Sequence, residues 1–244
     1  MCLIVFAWQV VPGIPLVAAA NRDEFYARPT APAAWWDDYP QVYAGRDLQG
    51  GGTWLGITRE GRFAALTNIR NPVERRDDVR SRGMLVAEYL EGGMSPEEYI
   101  ARSRESGTDY NGYNLIIGTR DQLIWYNNRE EQDERNGKPL APGIYGLSNA
   151  SLDSPWPKVV RTKAQFSSLL CQGAPHDAYF EMLKDTTRAN DCRLPKTGVP
   201  IEWERLLSSV CIESETYGTR SSSVVQIYRD HPPELIEHQH APVV

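Results

Sequence analysis

Cys2 follows the initiator methionine directly. Once Met1 is removed, this residue carries a free α-amine beside its own thiol, so one residue holds both a nucleophile and a general base. A thiol pKa near ~8.5 and an amine pKa near ~7.7–8.0 bring both groups close to their reactive forms at neutral pH. An N-terminal amine is a recognised activator of weak acyl-transfer nucleophiles. A cysteine in an apolar run is equally a small buried hydrophobe, so the chemistry depends on what converges on it. Acyl transfer also needs an orienter for the base and donors where the oxyanion develops. Four polar spots can supply these: Asn21-Arg22-Asp23-Glu24, Thr67 to Pro72, Leu147-Ser148-Asn149-Ala150, and Tyr217 to Ser222. Asp23 suits an ammonium as a carboxylate suits a catalytic imidazole. Asn68 and Asn149 offer amide donors to an oxyanion, and Arg220 lowers the pKa of a thiol placed near it. Taken singly, each spot reads as ordinary turn chemistry.

The elements that must bring these residues together follow from patterning. Residues 2–11 and 14–20 read as two strands about the turn Val11-Pro12-Gly13. Pro29, Pro32 and Pro40, with Trp35, Trp36 and Tyr39, read as a loop pinned by aromatics. Thr53 to Ile57 and Phe63 to Asn68 form a further hairpin. A helix over Ser81 to Leu90 stops at Gly92-Gly93, and Ser95-Pro96-Glu97-Glu98 starts another with a capping serine, proline at the first position and acids in the first turn. Tyr113 to Gly118, Gln122 to Tyr126 and Ile144 to Ser148 read as strands, Lys158 to Leu170 and Pro175 to Lys184 as helices, and Ser221 to Tyr228 as a strand. Hairpins and helices in segregated runs predict an α+β fold with helices covering antiparallel sheets. Residues 1–230 form the expected single domain, and 231–244 read as a tail.

Composition narrows the function classes. With 26 Lys and Arg against 32 Asp and Glu, the net charge is −6, and no long basic stripe is present. That disfavours nucleic acid and anionic membranes as partners. No stretch approaches the roughly 20 apolar residues of a membrane span. The apolar N-terminus lacks a positive leading region and is interrupted by Pro12-Gly13, so it does not read as a signal peptide and a cytoplasmic setting is expected. The four cysteines form no close pair, and no histidine is spaced with a cysteine or carboxylate as a metal site requires. Neither a metal nor another cofactor is expected.

Asn21-Arg22-Asp23-Glu24, Arg28-Pro29-Thr30, Ala44-Gly45-Arg46-Asp47, Gly51 to Gly56 and Leu66-Thr67-Asn68 occur here in one order. Together they resemble the NRDE-motif family, also called the transport and Golgi organisation proteins. The resemblance implies the four-layer αββα sandwich of N-terminal-nucleophile hydrolases and a more distant similarity to choloylglycine hydrolases and penicillin V acylases. It further implies a site built from Cys2, Asp23, Asn68, Asn149 and Arg220, with an amide or thioester acyl substrate. Ties of the family to lipid, acyl-CoA and haem handling imply an alternative, a non-catalytic binding or trafficking protein. Those hydrolases carry an arginine three residues before the aspartate, where this chain has Ala20; Arg22, beside Asp23, points to the opposite face of a regular strand. Asn21, Arg22, Trp54 and Arg70 are the expected substrate contacts. Gly50-Gly51-Gly52 reads as a tight turn rather than a phosphate cradle, the arginines from Arg70 to Arg82 as a solvated loop, and Trp35, Trp36, Tyr43 and Trp54 as core aromatics.

Overall fold

A computed structural model describes residues 2–241. Strands β1 (Cys2–Val11) and β2 (Ile14–Phe25) pair as the central hairpin. Their apolar runs are continuous rather than alternating because both faces are covered. Ile4, Phe6, Trp8, Leu16, Ala18 and Ala20 face a second sheet, whereas Leu3, Val5, Ala7, Val17 and Ala19 face helices. The first sheet continues with β9 (Gly143–Leu147), β10 (Tyr217–Ile227) and β11 (Glu234–Gln239), in the order β11-β10-β2-β1-β9. The second runs β3 (Thr30–Trp35), β4 (Val42–Asp47), β5 (Leu55–Thr58), β6 (Phe63–Asn68), β7 (Tyr113–Gly118) and β8 (Leu123–Asn127), adjacent strands antiparallel throughout.

Helices α1 (Gly83–Glu91) and α2 (Pro96–Glu105) pack on the outer face of the second sheet. Helices α3 (Pro157–Cys171) and α4 (His176–Leu183) cover the first. The layers are therefore α, β, β, α, as the patterning and the resemblance predicted. The capping box at Ser95 forms in full, its hydroxyl accepting from Glu98 N and the Glu98 carboxylate accepting from Ser95 N.

Four local readings are corrected. The proline-bearing segment after Arg28 is not all loop: β3 and β4 form there, and Pro32 is accommodated because β3 is an edge strand whose register is irregular between Ala31 and Ala34. The 231–244 tail is mostly β11, tied to β10 from Ser221↔Gln239 to Gln226↔Glu234; residues 242–244 lie outside the described residues. A short helix, α5 (Ile201–Leu206), follows a long irregular stretch that offered no periodic signal. Finally, β2 runs on to Phe25, so Asn21 to Glu24 sit inside a strand rather than beyond its end.

One irregularity sets the site. Val11 pairs with Ile14 beside the turn, but Trp8 pairs with Leu16, so Gln9 and Val10 together oppose Pro15. Gln9 takes φ of 51°, the left-handed conformation a bulge uses to fit an extra residue. From there the register is offset by one, and Cys2 lies opposite Arg22. Elsewhere Gly52 is required by close approach: a Cβ there would sit 2.3 Å from the Gly83 carbonyl carbon at the start of α1.

Candidate functional site

Where the two sheets end together, a cleft of about 750 Å³ opens between them. Cys2, the first residue of β1, lies at its floor, 8% exposed. Residues directly opposite in antiparallel strands share a face, with Cβ atoms roughly 4.5–5.5 Å apart, so Arg22 presents its guanidinium on the thiol's side. Among the described residues the closest acid to that guanidinium is Glu24, at 4.0 Å. Asp23 is one residue further along and takes the face of Val17 and Ala19, toward the helices. It is buried, and its carboxylate accepts from the Thr219 hydroxyl at 2.7 Å. Asn68, the last residue of β6, lines the opposite wall.

Burial pushes the Cys2 thiol up; the Asp23 carboxylate adds to the rise, while Arg22 and a hydrogen bond from the Asp23 backbone oppose it. Burial likewise raises Asp23, against Lys158, the Thr219 hydroxyl and Arg22. Arg82, at the start of α1, lines the same cleft and donates to the Gly112 carbonyl. Desolvation lowers its pKa to about 10, with Cys2 and Glu24 holding it up. Arginines outnumber carboxylates along the cleft, although the chain as a whole is acidic. Phe25, Trp54, Trp203 and Tyr217 also line the cleft, the last held edge-on between Phe25 and Trp203 at centroid distances of 5.0 and 5.6 Å.

The expected residues divide into those that reach the cleft and those that support it. Cys2, Asp23, Asn68, Arg22, Trp54, Arg70 and Arg220 line it. Asn21 does not: it is fully buried on the helix side, donating to the Leu183 and Val210 carbonyls and accepting from Ser222. Its place in the motif anchors α4 and the segment before β10 to the sheet. Asn149 is also buried, its amide turned to the Asn68 carbonyl at 2.9 Å and its carbonyl accepting from Arg70 N. It fixes Asn68 and Arg70 rather than opening onto the cleft. Arg220 is the bulged residue of β10, since pairing skips from Thr219 to Ser221. Its guanidinium clamps the carbonyls of Phe25, Tyr26 and Arg28, while Arg22 and Arg82 are the arginines whose charge is felt with the thiol. Met1, whose removal the chemistry requires, lies outside the described residues.

Other expectations change as well. Of the arginines after Asn68, Arg75, Arg76 and Arg80 are exposed as expected, whereas the Arg70 side chain is 2% exposed and Arg82 is half-buried, where the 69–82 segment runs along the cleft. Of the four aromatics, Trp36 belongs to the core beneath α1 and Tyr43 packs on the inter-sheet core, while Trp54 alone reaches the cleft. Among the described residues no three His, Cys, Asp or Glu side chains gather as a metal site would need, and no helix is long and apolar enough to cross a membrane.

Three arrangements were not expected from the sequence. Arg70 Nη1 donates to Glu204 Oε2 at 2.6 Å, and the guanidinium lies 4.5 Å from the Trp156 ring centroid. Lys158, in the first turn of α3, is 1% exposed. A buried network ties the strand ends: Thr67 donates to the Ser148 carbonyl, Ser148 Oγ to the Cys2 carbonyl at 2.9 Å, and Asn114 to Thr67 Oγ1 and the Ala150 carbonyl. A lysine among the apolar positions of an amphipathic helix was the one signal available for Lys158. The rest depends on contacts between residues far apart in the chain.

Comparison with known proteins gives the following. Residues 1–242 match the family described as Transport and Golgi organisation 2. The Transport and Golgi organization protein 2 homolog of Bos taurus is 36% identical over 251 aligned residues, covering 94% of this chain and 90% of that protein. An N-acylethanolamine-hydrolyzing acid amidase ortholog of Caenorhabditis elegans is similar in structure, with TM-score 0.48 and 11% identity over 96% of this chain and 100% of that one. A penicillin V acylase from Agrobacterium tumefaciens has TM-score 0.39 and 13% identity over 98% and 86%.

Proposed function

This chain belongs to the Transport and Golgi organisation 2 family, and from that premise and the cleft we propose that it is an N-terminal-nucleophile hydrolase-like protein whose Cys2 acts on an amide or thioester. The observation that carries the reading is Cys2 at the cleft floor, opposite Arg22 and beside Asp23, with Asn68 across the opening. With Met1 gone, the α-amine takes the thiol proton as sulfur attacks the acyl carbon. Asp23 holds the resulting ammonium, and the oxyanion meets the Asn68 amide and the Arg22 guanidinium. Collapse expels the amine or thiol leaving group with the proton from the ammonium and leaves a Cys2 thioester. Water, deprotonated by the same amine, then releases the acid and restores the thiol.

Intact-mass measurement of protein made in cells tests the first requirement; retention of Met1 removes the base. An electrophilic acyl probe should label the wild type at Cys2 and leave Cys2→Ala unlabelled, and equal labelling of both would take Cys2 out of the mechanism. The arginine excess together with the aromatics lining the same cleft favours a second reading, a binding or trafficking role for an anionic, largely apolar ligand such as haem or an acyl-CoA. Saturable binding retained in Cys2→Ala, with no turnover, would select it. A cytoplasmic setting goes with either reading, supported by four cysteines of which none is bonded to another, and cell fractionation tests it.

A further inference from the structure

The first turn of α3 packs against the strand end where β1 begins and holds one charged side chain with no exit to water. Lys158 is 1% exposed, and its Nζ has no hydrogen-bond partner among the described residues. A buried ammonium is costly unless a counter-charge compensates it, and the N-terminal end of a helix disfavours a cation further. A long lysine usually carries its charge to the surface; this one keeps it inside the layer between the first sheet and its helices.

The charged and titratable groups acting on it come from four segments: Asp23 from β2, Cys2 from β1, Arg70 from the segment after β6, and Glu204 from α5. Arg70 is committed to Glu204 at 2.6 Å. Asp23 points into the same layer, by the parity of Val17 and Ala19. Its other neighbours are the Thr219 hydroxyl, Arg22, Arg70, Tyr217 and Cys211.

We propose that Lys158 is a positioning residue of the Cys2 site: its buried ammonium keeps the Asp23 carboxylate ionised, so that Asp23 can accept from the α-amine of Cys2. The proposal rests on the nucleophile reading above. Its electrostatics are consistent in both directions. Lys158 is the strongest influence opposing the rise that burial imposes on Asp23, and Asp23 is the strongest influence holding up Lys158, which burial lowers to about 8.

The test is NMR titration of Asp23 by its 13C carboxyl signal and of Lys158 by its Nζ signal, in the full chain with Met1 removed. Lys158→Met should raise the Asp23 midpoint by about one pH unit or more, the size expected when a nearby opposite charge is removed, and Lys158→Arg should restore most of it. Should the Met variant fail to fold, Asp23→Asn serves instead, since it should lower the Lys158 midpoint by a similar amount. A purely packing role would cost stability in Lys158→Met and move neither midpoint; unmoved midpoints overturn the proposal. In Lys158→Met the acid limb of the Cys2 labelling rate by the acyl probe, followed across pH, should move to higher pH in step with the Asp23 midpoint. If the midpoints move while wild-type Cys2 is never labelled, the nucleophile reading falls and the Lys158–Asp23 coupling stands.

Discussion

Breaking the Arg70–Glu204 pair tests how the cleft wall is held. Both side chains are almost wholly buried, at 2% and 3% exposure, and their N···O distance is 2.6 Å. Glu204 Oε1 also accepts from Thr197 N at 3.0 Å and Oγ1 at 2.6 Å, tying the irregular stretch before α5 to the same carboxylate. Removing one partner of a buried ion pair leaves the other charge uncompensated, at about 3–5 kcal/mol. For a chain of this length each kcal/mol moves the melting temperature by roughly 2–4 °C. Arg70→Met and Glu204→Met should therefore each melt lower by about 6–20 °C. The double variant removes both charges and should lose less than the sum of the singles by about 2 kcal/mol or more. It should not regain wild-type stability, because Thr197 keeps two donors without an acceptor, at about 1–3 kcal/mol. Urea unfolding at pH 7, followed by tryptophan fluorescence, measures all four corners. Singles that lose under about 1 kcal/mol, or a double that loses the full sum, would refute the reasoning.

Three other outcomes follow from the geometry. Gln9→Gly should stabilise the fold by up to about 1 kcal/mol in urea unfolding, since glycine relieves a left-handed backbone at some entropic cost; a loss would mean that the Gln9 side chain matters at the bulge. Gly52→Ala places a Cβ 2.3 Å from the Gly83 carbonyl carbon and should cost about 1–3 kcal/mol, displacing α1 and Arg82 with it; an unchanged melting temperature would contradict the close approach. Lys158 carries a stability signature of its own. Its folded pKa of about 8 lies below an unfolded value near ~10.4, so the unfolded chain binds more protons between the two. The Lys158 contribution to unfolding free energy therefore rises with pH across that window, by roughly 3 kcal/mol at most. The wild-type curve minus the Lys158→Met curve should climb between pH 8 and 10, and a flat difference would remove the depressed lysine.

The layers were legible because their signals are local. The strand runs, the capping box at Ser95 and the order of hairpins and helices each need only neighbouring residues. The orientation of the site was not, because it turns on one bulge. A hairpin closed at Val11↔Ile14 without irregularity would set Cys2 against Asp23. The extra residue at Gln9-Val10 sets it against Arg22 instead, and Gln9 carries no compositional mark of a left-handed residue. Asn21 and Asn149 have the residue type of amide donors, but nothing in the chain says which side of a sheet or which carbonyl they face. The position of Arg220 was hidden for a similar reason: a bulge in β10 turns it onto three backbone carbonyls. Edge strands β3 and β11 escaped notice because proline and charge, the usual marks of loop, also protect sheet edges.

The bulge also divides the chemistry between two faces of one sheet. Thiol and Arg22 lie on the cleft side, where the arginines and aromatics meet whatever enters. Asp23 lies on the helix side, with Lys158 and the hydroxyl of Thr219. The Cys2 backbone nitrogen, the α-amine of the proposed mechanism, is in the plane of the sheet between them, where both faces can address it. A change at Arg22 should then act first on the thiol and on ligand affinity. A change at Lys158 should act first on the carboxylate and through it on the amine. Buried charge behind the sheet is hard to explain by stability alone, since apolar side chains of similar volume would fill that layer at lower cost. Its location, beside Asp23 on the helix side and out of reach of solvent, fits the proposed device for setting protonation on the far side of the strand.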